Sequence, residues 1–330
     1  MNKKFVIITS INPPTVAVKA FASWNGWSTI VVGDRKSPKE WEIDGVIYLS
    51  LDDQFKFFPE YSKLLSENTY TRKILGYLYA FQHGAEAIFE SDDDNIPYLH
   101  AKNVIESYLN DRRIIEPVLF SENGWLNIYK VFDSQNSWPR GFPIEKIHTS
   151  NALIDTKNKL PWGVLQFLAD EDPDVDAIYR MTQGNPIYFS QNKKISLCKG
   201  TFSPFNSQAT LWVPETFPLM FLPIGIKDRV TDILRGFISL ACMWANGMTL
   251  GVSSPIVYQE RNQHNLLNDF SQEIDLYLSS DIWCKMLQKV SGGGMDQSFR
   301  KSLQILVDND ILPSENLKVY SIFLNSLESL

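Results

Sequence analysis

The feature that most constrains this chain is an alternation of short β-branched or aromatic runs with segments whose apolar residues recur at helical spacing, over roughly the first 95 residues. Four strands are predicted, at 5–8, 28–32, 46–49 and 87–89. Residues 71–81 predict a helix that ends at Gly84. Alternation of this kind is typical of a mostly parallel sheet with helices on both faces, so we expect an α/β fold.

The first predicted helix follows directly on the first strand. Asn12 is a favoured N-cap residue, and Pro13 and Pro14 suit a first helical turn. Apolar residues then recur at helical spacing from Ala17 to Trp24, which predicts a helix packed against the sheet.

Three of the predicted strands end in polar loops, after Ile8, Val32 and Phe89. Because crossovers between parallel strands are right-handed, these loops meet at the carboxyl edge of the sheet, where open α/β folds bind ligands. The third loop contains three consecutive aspartates at 92–94. We therefore expect the functional site at this edge.

The rest of the chain predicts a different organisation. Residues from about 111 to 225 are aromatic-rich and interrupted by prolines, which indicates ordered loops and short strands built over the sheet. The apolar stretch 235–252 contains Asn246, Gly247 and Gly251, so it predicts a buried helix leading into a strand rather than a membrane span. Helical patterns return from 269. We expect a main domain at 1–265 and a helical C-terminal extension at 266–330.

Composition narrows the possible partners and locations. The 330 residues include 38 acidic and 31 basic ones, a net charge of -7, and no basic stripe, so nucleic acid is not an expected partner. Three scattered cysteines match no metal-binding spacing and favour a reducing, cytoplasmic location. The first apolar run is too short for a signal peptide. No membrane-spanning segment is expected, and peripheral association with a membrane stays open.

The three aspartates indicate a cation site. Adjacent carboxylates repel one another unless a positive charge compensates them. In an extended segment, residues two apart project to the same side, so Asp92 and Asp94 can face one ion while Asp93 points elsewhere. Carboxylate oxygens suit Mg²⁺ or Mn²⁺. The alternative is a solvated loop in which Asp92 or Asp94 caps a helix starting near Pro97.

Several longer strings carry a family resemblance. They are KFVIITSINPPT, VVGDRKSP, YTRKILGYLYAFQHGAEAIFESDDDN, NSWPRGFP, LADEDPDVDAIYRMT, SPFNSQATLW, FLPIGIKDRVTDILRGF and YQERNQHNLLNDF. By these strings the chain resembles the GT-A-type glycosyltransferase-like family that includes the plant STELLO proteins. It is similar, more distantly, to the reversibly glycosylated polypeptides, which are UDP-arabinose mutases. The likeness covers about residues 3–270, and about the last 60 residues contribute nothing to it.

The resemblance implies a GT-A-like, nucleotide-sugar-binding and catalytic domain with an Asp-x-Asp metal site. Asp92 and Asp94 would hold Mn²⁺ or Mg²⁺ on the diphosphate, although three aspartates leave the ligating pair open and keep Asp93 in the site. His264 would complete the metal sphere, and the alternative for it is a loop histidine bonded to a backbone carbonyl. The remaining implied contacts to the donor come from Thr9, Ile11, Asn12, Asp34, Arg35, Arg72, Lys73 and Arg140.

Two residues of the segment 229–236 are catalytic candidates. On a helix, Arg229, Asp232 and Arg235 share a face. Asp232 would deprotonate an acceptor hydroxyl or contact the donor sugar, while Arg235 would steady phosphate charge. The alternative is an intrahelical salt bridge. A second acidic cluster, 169–176, either approaches the sugar or acceptor or forms a capped turn before a helix.

Together these observations predict a metal-dependent glycosyltransferase that uses a nucleotide-diphospho-sugar, expected to be a UDP-sugar, and a glycan, lipid or protein acceptor. Two alternatives remain: a UDP-sugar mutase with the same metal site, and a catalytically inactive nucleotide-sugar-binding scaffold. Other enzyme classes fall behind because the glycine-rich dinucleotide and phosphate-binding loops, the Gly-x-Ser-x-Gly elbow and the His-Glu-x-x-His motif do not occur.

Overall fold

The computed structural model describes residues 2–262 and 265–328 of the chain. Its strands are β1 (Lys4–Thr9), β2 (Ser28–Val32), β3 (Val46–Leu49), β4 (Ala87–Ser91), β5 (Asn95–Pro97), β6 (Val118–Phe120), β7 (Leu153–Asp155), β8 (Trp162–Asp170), β9 (Lys194–Leu197), β10 (Ala209–Trp212) and β11 (Thr249–Gln259). Its α-helices are α1 (Val16–Ala22), α2 (Leu51–Phe57), α3 (Pro59–Leu64), α4 (Lys73–Gln82), α5 (Ala101–Asn110), α6 (Ile128–Val131), α7 (Ala177–Thr182), α8 (Asp228–Ala245), α9 (Leu266–Leu287), α10 (Met295–Asp308) and α11 (Glu315–Glu328).

Within the described residues all eleven strands join one sheet, in the order β3-β2-β1-β4-β10-β8-β11-β9-β6-β7, with β5 paired to β11. The first four run parallel to one another. β10 is antiparallel to both β4 and β8, and β8 is parallel to β11. Most strands therefore share one direction, and the expected α/β class with a mostly parallel sheet is confirmed.

Apolar layers cover both faces of the sheet. Helices α1 and α5 pack on one face, and α4 and α8 pack on the other. Representative buried residues are Phe21, Ile105 and Val6 on the first face and Leu78, Phe237 and Ile7 on the second. Gly76 lets α4 approach the sheet closely, because a Cβ at this position would lie 2.7 Å from Cγ2 of Ile7. Apolar side chains therefore enclose the central strands on both sides.

The C-terminal helices α9, α10 and α11 share the apolar core of the α8 face. Trp283, Phe299 and Tyr320 are buried in the same cluster as residues of α4 and α8. The helical character expected after residue 266 is therefore confirmed, while the division into domains at 265/266 stays a prediction. No helix in the described ranges is both long and apolar enough to cross a membrane.

Helix α1 corrects one local prediction. It begins at Val16, and its N-cap is Thr15, whose hydroxyl accepts from the backbone N–H of Val18, so the predicted cap at Asn12 is wrong. The side chain of Asn12 is used elsewhere, because its amide donates to Asp93 at 2.9 Å. The polar loop after β1 is thereby tied to the acidic loop after β4.

A second correction concerns the alternative of a helix near Pro97. Residues Asn95–Pro97 form β5 and pair with β11. The next helix, α5, begins at Ala101 with His100 at its N-cap position. Asp92 and Asp94 therefore do not cap this helix.

Candidate functional site

A cleft of about 720 Å³ opens at the carboxyl edge of the sheet. Its walls come from the ends of β1, β2, β4 and β11 and from the first turns of α8. The volume lies in the range of small-molecule sites, roughly 300–1,000 Å³. Among the predicted site residues, those that line it are Thr9, Ile11, Asn12, Asp34, Arg72, Asp92, Asp93, Asp94, Arg140 and Asp232.

Asp93 organises the loop on the nucleoside side of the predicted site. Its carboxylate accepts from the hydroxyl of Ser10 at 2.5 Å and from the amide of Asn12 at 2.9 Å. Its backbone carbonyl accepts from the hydroxyl of Thr15 at 2.6 Å. Asp93 therefore fixes the β1 loop against the acidic turn.

Asp92 faces a buried lysine. The Lys73 ammonium, whose side chain is fully enclosed, donates to Oδ1 of Asp92 at 3.1 Å and to the carbonyl of Ser91 at 2.7 Å. The hydroxyl of Tyr70 also donates to Oδ1, at 3.0 Å. Burial raises the pKa of Asp92, and Lys73 acts in the opposite direction. Lys73 thus positions Asp92 from below rather than lining the cleft.

Asp94 has only neutral hydrogen-bond partners among the described residues. Its Oδ2 accepts from the Gln259 amide at 3.1 Å and from the Asn262 backbone N–H at 3.3 Å. Gln259 is itself held by Gln208, whose amide donates to it at 2.7 Å. Burial, and next the charge of Asp92, raise the pKa of Asp94 to about 6. A cation beside Asp92 and Asp94 would relieve this repulsion.

The chemistry of this turn fits a divalent ion. Carboxylate oxygens are the ligands Mg²⁺ and Mn²⁺ prefer, and Mg²⁺ is commonly held by one or two carboxylates together with substrate phosphates and water. In the part of the chain that the structure describes, no three His, Cys, Asp or Glu side chains group as a metal site. Asp92 and Asp94 would therefore supply part of a coordination sphere. His264, the predicted third ligand, lies outside the described residues.

The remaining predicted donor contacts divide into two groups. Asp34 lines the cleft after β2, while the exposed Arg35 does not line it and pairs with the half-buried Glu67 at 2.6 Å. Arg72 touches the cleft but is almost fully buried, and its guanidinium donates to Gln54 at 2.6 Å. Arg35 thus lies off the cleft wall, and the guanidinium of Arg72 is largely hydrogen-bonded to other protein groups.

Arg140 lies on the opposite wall between two carboxylates. It donates to both oxygens of Asp174, each at 2.8 Å, and to both oxygens of Asp232, each at 3.1 Å. Burial alone would raise the pKa of Asp174, but the charge of Arg140 lowers this pKa below its usual value. Arg140 therefore lines the cleft, but two aspartates already occupy most of its N–H donors.

Arg235 lies beneath the cleft and does not line it. Its guanidinium donates to both oxygens of Glu90, at 2.8 and 3.0 Å, and neither side chain is exposed. The guanidinium also lies over the ring of Trp212, 4.9 Å from the centroid. Arg229 and Asp232 likewise bond to other elements, so the intrahelical salt bridge is not what this face of α8 forms.

Several cleft residues escaped the sequence reasoning. Asp228 lies one turn before Asp232 on α8, and Arg261 follows β11. Asn206 and Gln208 come from the loop before β10. A signal was present for all four, because they fall inside the strings FLPIGIKDRVTDILRGF, YQERNQHNLLNDF and SPFNSQATLW. The strings alone do not indicate which of their polar residues face the cleft.

Part of the chain matches a known family by sequence. The family model of the STELLO glycosyltransferases matches residues 229–330. This match includes the last 60 or so residues, so the expectation that they contribute nothing to the likeness is wrong.

Two curated relatives from Arabidopsis thaliana, described as probable glycosyltransferases STELLO2 and STELLO1, are 29% identical over 304 residues and 27% identical over 311 residues. Each alignment covers 86% of this chain and 39% of the relative. The chain therefore spans about two fifths of the length of the curated relatives it matches.

Among solved structures, two of S. aureus TarS 1–349, one in complex with UDP-GlcNAc, overlay on 98% and 99% of this chain and on 81% and 88% of their own. Their TM-scores are 0.41 and 0.39, with 10% and 8% sequence identity. Overlays of this quality assign no function, and the fold class here rests on strand order and pairing. By sequence, the chain is related to the STELLO glycosyltransferases over most of its length, as its motifs predicted.

Proposed function

We propose that this chain is a glycosyltransferase whose donor is a nucleotide-diphospho-sugar, specifically a UDP-sugar. The observation that carries the proposal is the acidic turn 92–94, which faces a cleft of about 720 Å³ at the carboxyl edge of the sheet. Burial, and next the negative charge of Asp92, raise the pKa of Asp94, so a cation beside these two carboxylates would stabilise their charged forms. The relationship to the STELLO glycosyltransferases supports the same class of donor.

Asp92 and Asp94 would hold Mn²⁺ or Mg²⁺ in this cleft. A bound divalent ion supplies neutralisation of the negative charge on a departing nucleoside diphosphate. The chain's own residues prepare the position: Lys73 orients Asp92, and Gln259 orients Asp94. Asp93 holds the loop after β1, against which the nucleoside would lie together with Asp34.

Asp232 orients the donor sugar or the acceptor in this proposal. Because Arg140 donates to both of its carboxylate oxygens, the side chain is fixed and its lone pairs are partly engaged. Such fixation suits a positioning role, as a retaining transfer requires, better than proton abstraction. If the reaction inverts the anomeric centre, Asp228 is the better-placed base, because burial raises its pKa and it lines the cleft. Arg235 receives no direct role.

The acceptor is a glycan, lipid or protein hydroxyl that enters the cleft from solvent. A cytoplasmic location, with or without peripheral contact to a membrane, remains a prediction from the cysteine content and the sequence. We propose no nucleic-acid partner, because the net charge is -7.

Calorimetry with UDP tests the donor site. UDP is expected to bind at least tenfold more tightly with Mn²⁺ than without it, and Asp94→Asn is expected to abolish this difference. Asp111→Asn is the matched control, since Asp111 pairs with exposed Arg113 and does not line this cleft. If neither Mn²⁺ nor Mg²⁺ changes the affinity for UDP or UDP-sugars, the proposal is wrong.

Product analysis then separates the transferase from its alternatives. Incubation with a UDP-sugar and Mn²⁺ should release UDP slowly in the absence of acceptor. An isomeric sugar nucleotide without UDP release would instead identify a mutase. A scaffold protein would release nothing, and its biological role would survive Asp94→Ala.

A further inference from the structure

Three arginines from separate elements lie near one another beyond Asp94, and two of them reach the cleft wall. Arg180 lies in α7, Arg229 in the first turn of α8, and Arg261 directly after β11. Arg229 and Arg261 line the cleft. Both approach Oδ2 of Asp269, at 3.9 and 3.0 Å, so their guanidiniums are close neighbours.

The three guanidiniums are enclosed but incompletely hydrogen-bonded. The exposed fractions of the Arg180, Arg229 and Arg261 side chains are 7%, 14% and 12%. Nε of Arg180, Nη2 of Arg229 and Nε of Arg261 are buried and find no acceptor among residues 2–262 and 265–328. Buried polar groups are nearly always hydrogen-bonded, so this cluster needs a further acceptor.

The charges of the cluster lead to the same conclusion. Burial, and next the charges of Arg261 and Arg229, lower the pKa of Arg180 to about 8. Burial and Arg229 also lower the pKa of Arg261. The carboxylates of Asp172 and Glu273 already pair with Arg180 and Arg229. Repulsion persists despite these pairs, and an added negative group would relieve it.

The order of strands places the cluster at one end of the site. Along the sheet, β2 and β1 precede β4, and β11 lies beyond β4 on the other side. Asp34 follows β2, the turn 92–94 follows β4, and Arg261 follows β11. With the nucleoside near Asp34 and the diphosphate near Asp92 and Asp94, the arginines face the sugar and the acceptor.

We propose that Arg180, Arg229 and Arg261 form an oxyanion subsite that binds a carboxylate or phosphate group on the transferred sugar or on the acceptor. Its placement beyond the diphosphate rests on the proposed function. Guanidinium groups match both oxyanions because their N–H donors form a planar fork. The enzyme is then specific for an acidic substrate, and the oxyanion completes the three unfilled hydrogen bonds.

Inorganic sulfate is a suitable probe. Titrated calorimetrically into protein saturated with UDP and Mg²⁺, sulfate is expected to bind the wild type and to bind Arg261→Gln at least tenfold more weakly. The affinity for UDP itself should change less than twofold in this variant. Arg113→Gln is the matched control, because Arg113 is an exposed arginine paired with Asp111.

Two further variants test whether weaker sulfate binding reflects the proposed contacts rather than misfolding or the loss of one positive charge. Arg229→Gln should weaken sulfate binding as Arg261→Gln does. Arg261→Lys keeps the charge but loses the planar fork, and it should bind sulfate with intermediate affinity. Melting temperatures within a few degrees of the wild type would show that each variant is folded.

Comparison of UDP-glucuronate with UDP-glucose locates the acidic group. If the group belongs to the donor sugar, UDP-glucuronate binds the wild type at least tenfold more tightly, and Arg261→Gln abolishes the preference. If it belongs to the acceptor, both donors bind equally while sulfate still binds beside them. Either result supports the subsite.

Three results would overturn the proposal. The first is that sulfate does not bind the wild type in the presence of UDP, and the second is that sulfate binds folded Arg261→Gln as tightly as the wild type. The third is that Arg261→Gln loses affinity for UDP, which would identify this arginine as a ligand of the diphosphate. If UDP does not bind at all, the proposed function fails separately, and sulfate titrated into the protein alone still tests the arginines.

Discussion

Two buried ionic clusters arise from one face of α8 and differ in what closes around them. Arg235 pairs with Glu90 beneath the sheet edge, and neither side chain is exposed. Asp232, one turn earlier, pairs with Arg140, which also binds Asp174, and all three of these residues line the cleft. The same helical spacing therefore produces one enclosed cluster and one that a ligand can reach.

The enclosed cluster is held by hydrogen bonds within the protein, although Nε of Arg235 finds no acceptor among the residues that the structure describes. Glu90 also accepts hydrogen bonds from the hydroxyl of Tyr77 and the indole of Trp212. Burial alone would raise the pKa of Glu90, but the charge of Arg235 lowers this pKa below its usual value. In the open cluster, Arg140 is shared between the carboxylates of Asp174 and Asp232. Removal of one partner of the enclosed pair is therefore expected to destabilise the fold, whereas the open cluster can be reached from the cleft.

Breaking the enclosed pair should have the largest effect. Arg235→Met leaves Glu90 buried without its cation and is expected to lower the free energy of unfolding by about 3–5 kcal/mol. Urea unfolding followed by circular dichroism measures this loss. The double variant Glu90→Gln, Arg235→Met should recover part of it, and an unchanged midpoint in the single variant would contradict the distinction between the clusters.

Asp232→Asn should cost less stability and more function. Because Asp174 still pairs with Arg140, no isolated buried charge remains, and we expect a loss of about 2–3 kcal/mol in unfolding free energy. UDP-sugar turnover should fall at least tenfold, with a smaller change in UDP affinity. Equal turnover in the variant and the wild type would place Asp232 among the structural residues.

Asp176 provides a third case, a buried carboxylate with neutral hydrogen-bond partners. It accepts from the backbone N–H of Tyr179 at 2.7 Å and from the indole of Trp138. Burial raises the pKa of Asp176 to about 6. The folded state therefore favours the protonated acid, and this stabilisation, present at pH 4, is lost as pH rises through 6. The expected loss is on the order of 2 kcal/mol.

Thermal unfolding between pH 4 and 7 tests this expectation. Asp176→Asn, which keeps an N-capping oxygen, should flatten the pH dependence over this window relative to the wild type. Identical pH profiles would mean that Asp176 does not titrate near 6.

The smallest effect is expected at the exposed pair Lys3–Glu86, whose ionic groups lie 2.9 Å apart with side chains about 60% exposed. Glu86→Gln should change the unfolding free energy by less than about 0.5 kcal/mol, because water and salt screen the pair. If Glu86→Gln lost as much unfolding free energy as Arg235→Met, the contribution of an ion pair to stability would not depend on its burial.

The local patterns predicted much of this scaffold. β2 and β3 have the predicted bounds, and α8 leads into β11 as the stretch 235–252 indicated. The N-cap of α1 was misplaced because Asn12 binds Asp93, a residue 81 positions away that local propensity does not register. Likewise, local patterns do not indicate whether the side chains of Arg35, Lys73 and Arg235 face the cleft.

By itself, the sequence determined the alternation of strands and helices, the acidic turn at the end of β4, and the relationship to the STELLO proteins, because periodicity and motifs are local properties of the chain. Only the tertiary structure decided that Arg235 is enclosed, that Arg140 lies between Asp174 and Asp232, and that three arginines meet beyond Asp94. Such pairings join residues distant in sequence, and burial sets their strength, so they exist only once the sheet and its covering helices have assembled.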